Sequence, residues 1–199
     1  MHLAKPLVVV LGVSTMASGV YLTRDSWMPP EKFKTHVKKS VSRSLIEKKY
    51  KPLDTTKEVG WQEILNKYNE VHSSATKDIL NLQRECKDLL EKEEFLDSDY
   101  QKARRWCVEV QNVESRAKLF GKIALSKDAD IDNEKWKSNI AKHKEDHPNK
   151  LNHNFGSDEN QNLTDIKSKC KDLSGKNSTD EGFESDFSKY LEWCIKEGV

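Results

Sequence analysis

The sequence predicts an all-α protein of tandem antiparallel helical hairpins, packed like a bundle behind an N-terminal hydrophobic segment. Two observations support this class: a pattern of Cys and Trp that occurs twice, and apolar residues that recur at steps of three and four. Only five Pro and eight Gly interrupt the 199 residues. Because charged residues make up 34 % and apolar residues only 35 %, the core is expected to be thin, as between paired helices.

A cysteine pattern that is used twice organises the chain. Residues 97–107 return as residues 184–194 with Ser, Asp, Lys, Trp and Cys in register, and residues 86–89 return as 170–173. The pattern holds all four cysteines, so it indicates a structural repeat rather than a catalytic site. The tryptophans assigned to the repeat are Trp61, Trp106, Trp136 and Trp193. The chain then divides into four parts: 1–23 signal peptide or membrane anchor, 24–52 basic amphipathic linker or helix, 53–113 helical repeat 1, and 114–199 helical repeat 2.

The first 22 residues contain, in order, the regions that are typical of an export signal. An apolar run at 7–13 is followed by the small residues Ala17 and Gly19, which suit a signal peptidase. The stretch 7–22 is also nearly long enough to stay in the bilayer as an anchor. A buried N-terminal strand or helix is the alternative. We favour a signal or anchor, and hence contact with a membrane, because such composition occurs nowhere else in the chain.

The linker that follows is strongly basic. Residues 24–51 hold nine Lys and Arg against three Asp and Glu, whereas residues 52–199 carry a net charge of about −6, which argues against a nucleic-acid-binding body. Apolar residues recur at helical spacing among the lysines: Phe33, Val37, Val41, Leu45 and Ile46. Such a helix lies on an anionic membrane surface or packs one thin stripe on the body, and the sequence leaves both alternatives open.

Two features favour opposite orientations in the membrane. If the N-terminal segment stays uncleaved, the Lys-rich residues 32–51 favour a cytoplasmic body. Four cysteines at matched spacings favour two disulfides, which persist outside the reducing cytosol. The cysteine pattern is the more specific signal. We therefore predict an extracellular body at the cell membrane, or a secreted protein if the segment is cleaved.

Repeat 1 is predicted to begin with one long helix. Thr55 and Glu58 have the spacing of a capping box, and no Pro or Gly interrupts residues 61–90, although the serines at 73–74 mark a bend. The apolar stripe steps by four and three through Trp61, Leu65, Tyr68, His72, Ala75, Ile79, Leu82, Cys86 and Leu89. His72 is expected to be a core or rim histidine, because no second metal ligand is placed nearby.

The chain is predicted to turn near Leu96 and to return as a helix opened by Ser98 and Gln101, again with capping-box spacing. Cys86 and Cys107 lie ten and eleven residues from this turn. At 1.5 Å per residue, both rise about 15 Å along their helices. In an antiparallel pair the two cysteines then face each other within disulfide range, which predicts a Cys86–Cys107 bridge.

Repeat 2 is expected to follow the same plan. Cys170 and Cys194 again flank a turn, which predicts a second bridge between them. An Asn-rich loop at 148–162 stands where repeat 1 has continuous helix. This insertion helps to explain why the second repeat is longer than the first.

One segment of repeat 2 resembles a calcium loop. Residues 128–133 alternate Asp with other residues, but Asn133 replaces the turn Gly and Asn139 replaces the bidentate Glu. Asp132 is better explained as the N-cap of the helix that carries Trp136. We therefore predict no calcium site.

The sequence predicts a non-enzymatic protein without a cofactor. It has no Gly-rich phosphate loop and no nucleophile elbow. His143 and His147 are one helical turn apart, but Lys144 stands where the zinc-hydrolase pattern needs Glu. A hydrolase that uses Cys107 with His72 or His143 is the enzymatic alternative, although the duplication of this cysteine favours a scaffold.

The chain resembles the large paralogous families of short uncharacterised proteins encoded by haemotropic mycoplasmas. The resemblance is carried by the segment Lys-Pro-Leu-Val-Val-Val-Leu-Gly at 5–12, by Ser-Gly-Val-Tyr-Leu at 18–22, by the high Lys and Glu content and by the repeated Trp-Cys pairs. It implies a membrane-associated or surface-displayed protein that serves antigenic variation or host-cell contact. It implies no catalytic residues.

Two functions are therefore expected from the sequence. The first is an exported or membrane-anchored surface protein whose partners are a membrane, through the N-terminal segment, and a host protein or antibody. The alternative is a membrane-anchored cytoplasmic coiled-coil adaptor, based on the Lys-rich flank and the heptad-like stripe over residues 61–89.

Overall fold

The computed structural model describes residues 39–128 and 130–196, and within them the protein is mostly helical. Eight helices and one two-stranded antiparallel sheet lie in these ranges, so the all-α prediction is confirmed at this level. The elements are α1 Val41–Glu47, α2 Trp61–Val71, α3 Ile79–Glu91, α4 Asp97–Trp106, α5 Val113–Leu119, β1 Ile123–Ala124, α6 Asn133–Lys144, α7 Glu159–Ser174, α8 Phe183–Trp193 and β2 Ile195–Lys196.

The predicted signal or anchor at residues 1–23 lies outside the described residues, as does most of the linker up to residue 38. Among the helices that are described, none combines the length and the apolar character needed to cross a bilayer.

The helices α1–α4 recur in the same order as α5–α8. The matching entry helices α1 and α5 are capped alike, because Ser40 and Asn112 each accept a hydrogen bond from the backbone N–H three residues later. Both helices lead into a residue with left-handed backbone, Lys49 at φ 61° and Gly121 at φ 70°. The repeat in the structure therefore includes α1, which the sequence-based boundaries assign to the linker.

Backbone hydrogen bonds tie each entry helix to the hairpin of its own repeat. The Val41 N–H donates to the Lys92 carbonyl, and the Val113 N–H donates to the Lys176 carbonyl, both at 2.9 Å. In repeat 2 the chain that enters α6 pairs with the chain that leaves α8 as the sheet β1–β2. In repeat 1 the corresponding pairing is an isolated antiparallel β-bridge between Pro52 and Val108.

The prediction of one continuous helix over residues 61–90 is wrong, because the chain breaks into α2 and α3. Asn69 near the end of α2 bonds both the N–H and the carbonyl of Lys77, at 2.8 and 3.0 Å. Asp78 then caps α3 by accepting from a backbone N–H in its first turn, at 2.8 Å. These side chains satisfy backbone groups that a continuous helix would otherwise satisfy, so the stripe periodicity alone did not reveal the break.

The predicted capping boxes are also wrong. Thr55 and Glu58 precede an irregular turn, and α2 begins only after Gly60, whose φ of 87° lies in the left-handed region. The return helix α4 begins one residue before Ser98, and the Asp99 carboxylate in its first turn accepts from the backbone N–H that precedes the helix, at 3.2 Å.

The core is shared by both repeats. Its largest fully buried side chains are Trp61, Trp136, Trp193, Tyr190 and Phe183. The described part of the basic linker joins this core, because α1 packs on α3 and α4 with Val41 and Leu45 fully buried. Ile46 on the opposite side of α1 remains 58 % exposed. In its described part, the linker therefore packs a thin stripe on the body.

Polar contacts join the two repeats. The Tyr50 hydroxyl donates to the Glu184 carboxylate, and the buried Arg104 guanidinium donates to the Ser178 carbonyl at 3.0 Å. The guanidinium of Arg116 lies 3.7 Å from the centre of the Tyr50 ring. Burial and the Glu184 hydrogen bond raise the pKa of Tyr50 well above its ordinary value. The side chain is therefore neutral and serves as a donor between the repeats.

Gly60 provides a test of how the first repeat is assembled. A Cβ at Gly60 would lie 2.8 Å from Leu53 Cδ2, whereas a Cβ at Gly182, also left-handed at φ 75°, would meet nothing within 4 Å. We expect Gly182→Ala to cost about 1 kcal/mol from backbone strain, and Gly60→Ala to cost more because the buried Leu53 must also move. Urea unfolding midpoints measure the difference.

Gly175→Ala is the control for this series. Gly175 has φ −86°, and its nearest neighbour to an added Cβ is at 3.9 Å. We expect no loss of stability there. Equal losses for all three variants would contradict the conformational argument.

Candidate functional site

Each repeat is closed by a buried cystine. Cys86 is bonded to Cys107 with Cα atoms 5.4 Å apart, and Cys170 is bonded to Cys194 with Cα atoms 5.6 Å apart. The predicted pairing is therefore confirmed, and all four residues are at most 1 % exposed. A nucleophilic role for Cys107 requires a free thiolate, and in this structure its sulfur is bonded to Cys86.

The second cysteine of each pair also holds the incoming chain. Cys107 follows α4 and accepts a hydrogen bond from the Leu53 N–H at 3.0 Å. Cys194 follows α8 and accepts from the Leu125 N–H at 2.9 Å. One residue in each repeat thus joins the return helix to its partner helix through sulfur and to the entry segment through its carbonyl.

The first tryptophan of each repeat is a core residue. Trp61 begins α2 and donates from Nε1 to the Asp54 carbonyl, and Trp136 in α6 donates to the Ser126 carbonyl, both at 2.9 Å. Both side chains are fully buried. In both repeats the tryptophan ring fills the core while its indole N–H satisfies a backbone carbonyl. This double role explains why Trp recurs at these positions.

The second tryptophan of each repeat directly precedes a cystine cysteine and meets two rings from the C-terminal end of the repeat's second helix and the residues just after it. In repeat 1 the edge contacts of Trp106 are with Tyr68 at 5.1 Å and with His72 at 5.5 Å between ring centres. The Tyr68 and His72 rings are themselves stacked at 4.2 Å. His72 is therefore part of an aromatic cluster at the rim of the core.

In repeat 2 the ring partners of Trp193 are His143 at 4.9 Å and His147 at 5.0 Å. His143 Nε2 accepts from the Leu151 N–H at 2.8 Å, and Trp193 Nε1 donates to the Asn149 carbonyl at 2.6 Å. The two histidines that resemble a metal pair in the sequence thus pack on one tryptophan, and His143 already uses its ring nitrogen.

The aspartates of the calcium-like segment serve the local backbone and side chains. Asp132 stands at the N-cap position of α6 as predicted, but its carboxylate accepts from the Ser126 N–H at 2.6 Å instead of capping the helix. Asp130 accepts from the Asn133 side chain at 2.6 Å. In the ranges that the structure describes, no three His, Cys, Asp or Glu side chains gather as a metal site would need.

The repeats differ most in the connection between their second and third helices. Residues 72–78 link α2 to α3, whereas residues 145–158 link α6 to α7, so the second connection has fourteen residues and the first has seven. The longer connection covers Trp193 and buries its own Leu151 to 5 % exposure. In repeat 1 the shorter connection leaves the corresponding surface uncovered, although the side chain of Trp106 is itself only 4 % exposed.

This uncovered surface is a groove beside Trp106. It consists of two neighbouring cavities of about 370 and 280 Å³, which share Arg105, Asp180 and Glu181 as lining residues. We call it the Trp106 groove and define it by Tyr68, Val71, His72, Arg105, Trp106 and Asp180. One wall is the end of α2, and the opposite wall is the turn between α7 and α8. Arg105 donates across it to the Thr179 carbonyl at 2.6 Å.

Comparisons with protein families, with curated proteins and with solved structures gave no match to this chain. The resemblance to the families of haemotropic mycoplasmas therefore stays an expectation based on short motifs.

The Trp106 groove was not predicted from the sequence. Its lining residues are distant in the chain, and the repeated pattern that contains Arg105 and Trp106 does not indicate which segments lie beside them. The available signal was the Asn-rich insertion at 148–162, because a segment present in only one repeat leaves its counterpart surface open in the other.

His143 predicts a loss of stability in acid. Burial lowers the pKa of His143 below its ordinary value of 6.5, and the nearby Lys150 lowers it further. As the pH falls, the His143 imidazole is therefore protonated in the unfolded chain before it is protonated in the folded one. Its contribution to the free energy of unfolding is complete above about pH 6.5 and is lost as the pH falls below that value. We expect the urea midpoint to drop between pH 7.5 and 5.5, and to drop less in His143→Gln. Equal drops would contradict this.

The two cystines are expected to stabilise the protein about equally. They close loops with sequence separations of 21 and 24 residues, for which loop entropy gives about 3 kcal/mol each. We expect the double variants Cys86→Ser with Cys107→Ser, and Cys170→Ser with Cys194→Ser, to lose similar unfolding free energy in denaturant titrations. If either double variant loses less than about 1 kcal/mol of unfolding free energy, the disulfide it lacks is not needed for the stability of the core.

Proposed function

We propose that the protein is a non-enzymatic, exported interaction protein, held at the cell surface by its N-terminal segment or released after cleavage. The observation that supports this most directly is the pair of buried cystines, one closing each repeat. Disulfides of this kind persist outside the reducing cytosol. A protein that depends on both of them is stable in the compartment where they stay oxidised.

The dependence follows from the size of the core. A typical domain is stable by only about 5–15 kcal/mol, and two bridges of about 3 kcal/mol each are a large share of that. Charged residues make up 34 % of the chain, and short helices such as α1 and α5 have little independent stability. Loss of both bridges is therefore expected to unfold much of the body.

Interaction with a host protein or an antibody suits this construction. The cystines and the tryptophans beside them are buried, so they hold the fold while exposed connections can change without disturbing it. The exposed side chains of the connections at 54–60, 92–96 and 145–158 offer such surfaces, whereas Gly60 and Leu151 within them belong to the packed fold. Antigenic variation or host-cell contact, which the family resemblance implies, is the role we propose for them.

The alternative of a cytoplasmic coiled-coil adaptor loses one of its two supports. A coiled coil needs the apolar stripe to run along one continuous helix. The stripe over residues 61–89 is divided between α2 and α3, and both helices pack within the body. The Lys-rich flank at 32–51 is the support that remains.

A peptide map without reductant, combined with protease treatment of intact cells, tests the proposal. We expect tryptic peptides joined by Cys86–Cys107 and by Cys170–Cys194, and digestion of the body by protease added outside. A cytosolic protein of the same cells is the control for leakage. Four freely alkylated cysteines together with a body that is digested only after permeabilisation would support the adaptor instead.

A further inference from the structure

We propose that the Trp106 groove binds a short non-helical peptide segment of a partner protein, in the way that repeat 2 binds its own residues 149–155. The inference deepens the interaction role proposed above, but it does not depend on the compartment. It rests on the comparison of two matched buried tryptophans: Trp193 donates its indole N–H to the chain itself, whereas the indole N–H of Trp106 has no acceptor among the described residues and lies beside a cavity.

The surroundings of the two tryptophans are equivalent. Trp106 and Trp193 each come directly before the cysteine that closes their repeat. Each is contacted edge-on by two rings four residues apart, one on the matching helix, α2 or α6, and one just after its end. The two sites therefore offer the same kind of aromatic platform.

In repeat 2 the platform is occupied. The Asn149 carbonyl accepts from Trp193 Nε1, and two residues later the Leu151 N–H donates to His143. The Leu151 side chain is buried, and the Phe155 ring meets His143 edge-on at 5.0 Å. Backbone hydrogen bonds and one aliphatic side chain thus dock a segment without regular secondary structure.

In repeat 1 no segment of the described ranges takes this place. Trp61, Trp136 and Trp193 each donate their indole N–H to a backbone carbonyl, whereas no described group accepts from Trp106. The cavity beside it continues into a second one along the end of α2, where Val71 is 53 % exposed. The groove therefore offers two contacts to a bound peptide: the indole N–H of Trp106 as a hydrogen-bond donor, and the exposed aliphatic side chain of Val71.

The charges of the groove indicate the kind of peptide. Five basic and three acidic side chains line its two cavities. Arg105 stands at the position that Glu192 occupies in repeat 2, so this groove has a positive side chain where repeat 2 has a negative one. A neutral or acidic segment with a Leu-sized side chain complements it best.

The test uses the full chain in mild detergent with its tryptophan indoles labelled with nitrogen-15. The first probe is acetyl-Asn-Lys-Leu-Asn-His-Asn-Phe-amide, which copies residues 149–155, and the second probe has Glu in place of Lys. We expect saturable shifts of the Trp106 indole signal alone, with tighter binding of the Glu peptide. A peptide with Asn in place of Leu is expected to bind at least tenfold more weakly.

Matched variants separate the groove from the rest of the surface. We expect Val71→Asp to weaken binding of the first probe about tenfold, and Val59→Asp, at a valine that is 82 % exposed and outside the groove, to leave it unchanged. Trp106→Phe removes both the indole donor and the signal that reports binding, so the affinity of this variant for the first probe is measured by calorimetry. We expect that affinity to be about fivefold lower than that of the unaltered chain. Urea titrations confirm that each variant is folded.

Three results would overturn the inference: no saturable shift at millimolar peptide, equal binding by Val71→Asp, or an indole N–H of Trp106 that is protected from exchange in a chain that binds no peptide. The last result would mean that residues of the chain itself fill the groove. Failure here, with linked cystines and an exposed body on intact cells, would remove the groove but leave the proposed export intact.

Discussion

Both repeats depend on the cystine at the end of the return helix. The sulfur of Cys107 or Cys194 joins that helix to its partner helix. The carbonyl of the same residue accepts a hydrogen bond from the segment that enters the repeat's second helix. The tryptophan before that cysteine meets a ring from the second helix of its repeat, α2 or α6. One dipeptide therefore ties together three parts of each repeat.

Duplication with a change in one loop explains the asymmetry of the surface. The entry helix, its left-handed turn, the buried first tryptophan and the cystine recur almost unchanged, because each satisfies backbone groups or fills the core. The connection between the second and third helices is free to vary in length. In repeat 2 it covers the tryptophan platform, and in repeat 1 it leaves a groove beside a platform whose Trp106 and Tyr68 rings are themselves buried.

Short-range regularities of the chain predicted the class and the pairing of the cysteines. The regular rise of a helix places Cys86 and Cys107 at the same height on either side of a turn, so counting residues was enough. The same counting failed at residues 72–78, since Asn69 and Asp78 satisfy backbone groups there and end one helix before the next begins. A stripe of apolar residues continues across such a break without a change in period.

By itself, the sequence determined the helical class, the repeat and the two cystines, because these follow from spacing along the chain. Only the tertiary structure decided that α1 belongs to the body, that His143 accepts from Leu151, and that a groove lies beside Trp106 where a loop covers Trp193. These features depend on which distant segments come together. Spacing constrains neighbours along a helix but carries no information on what packs across it.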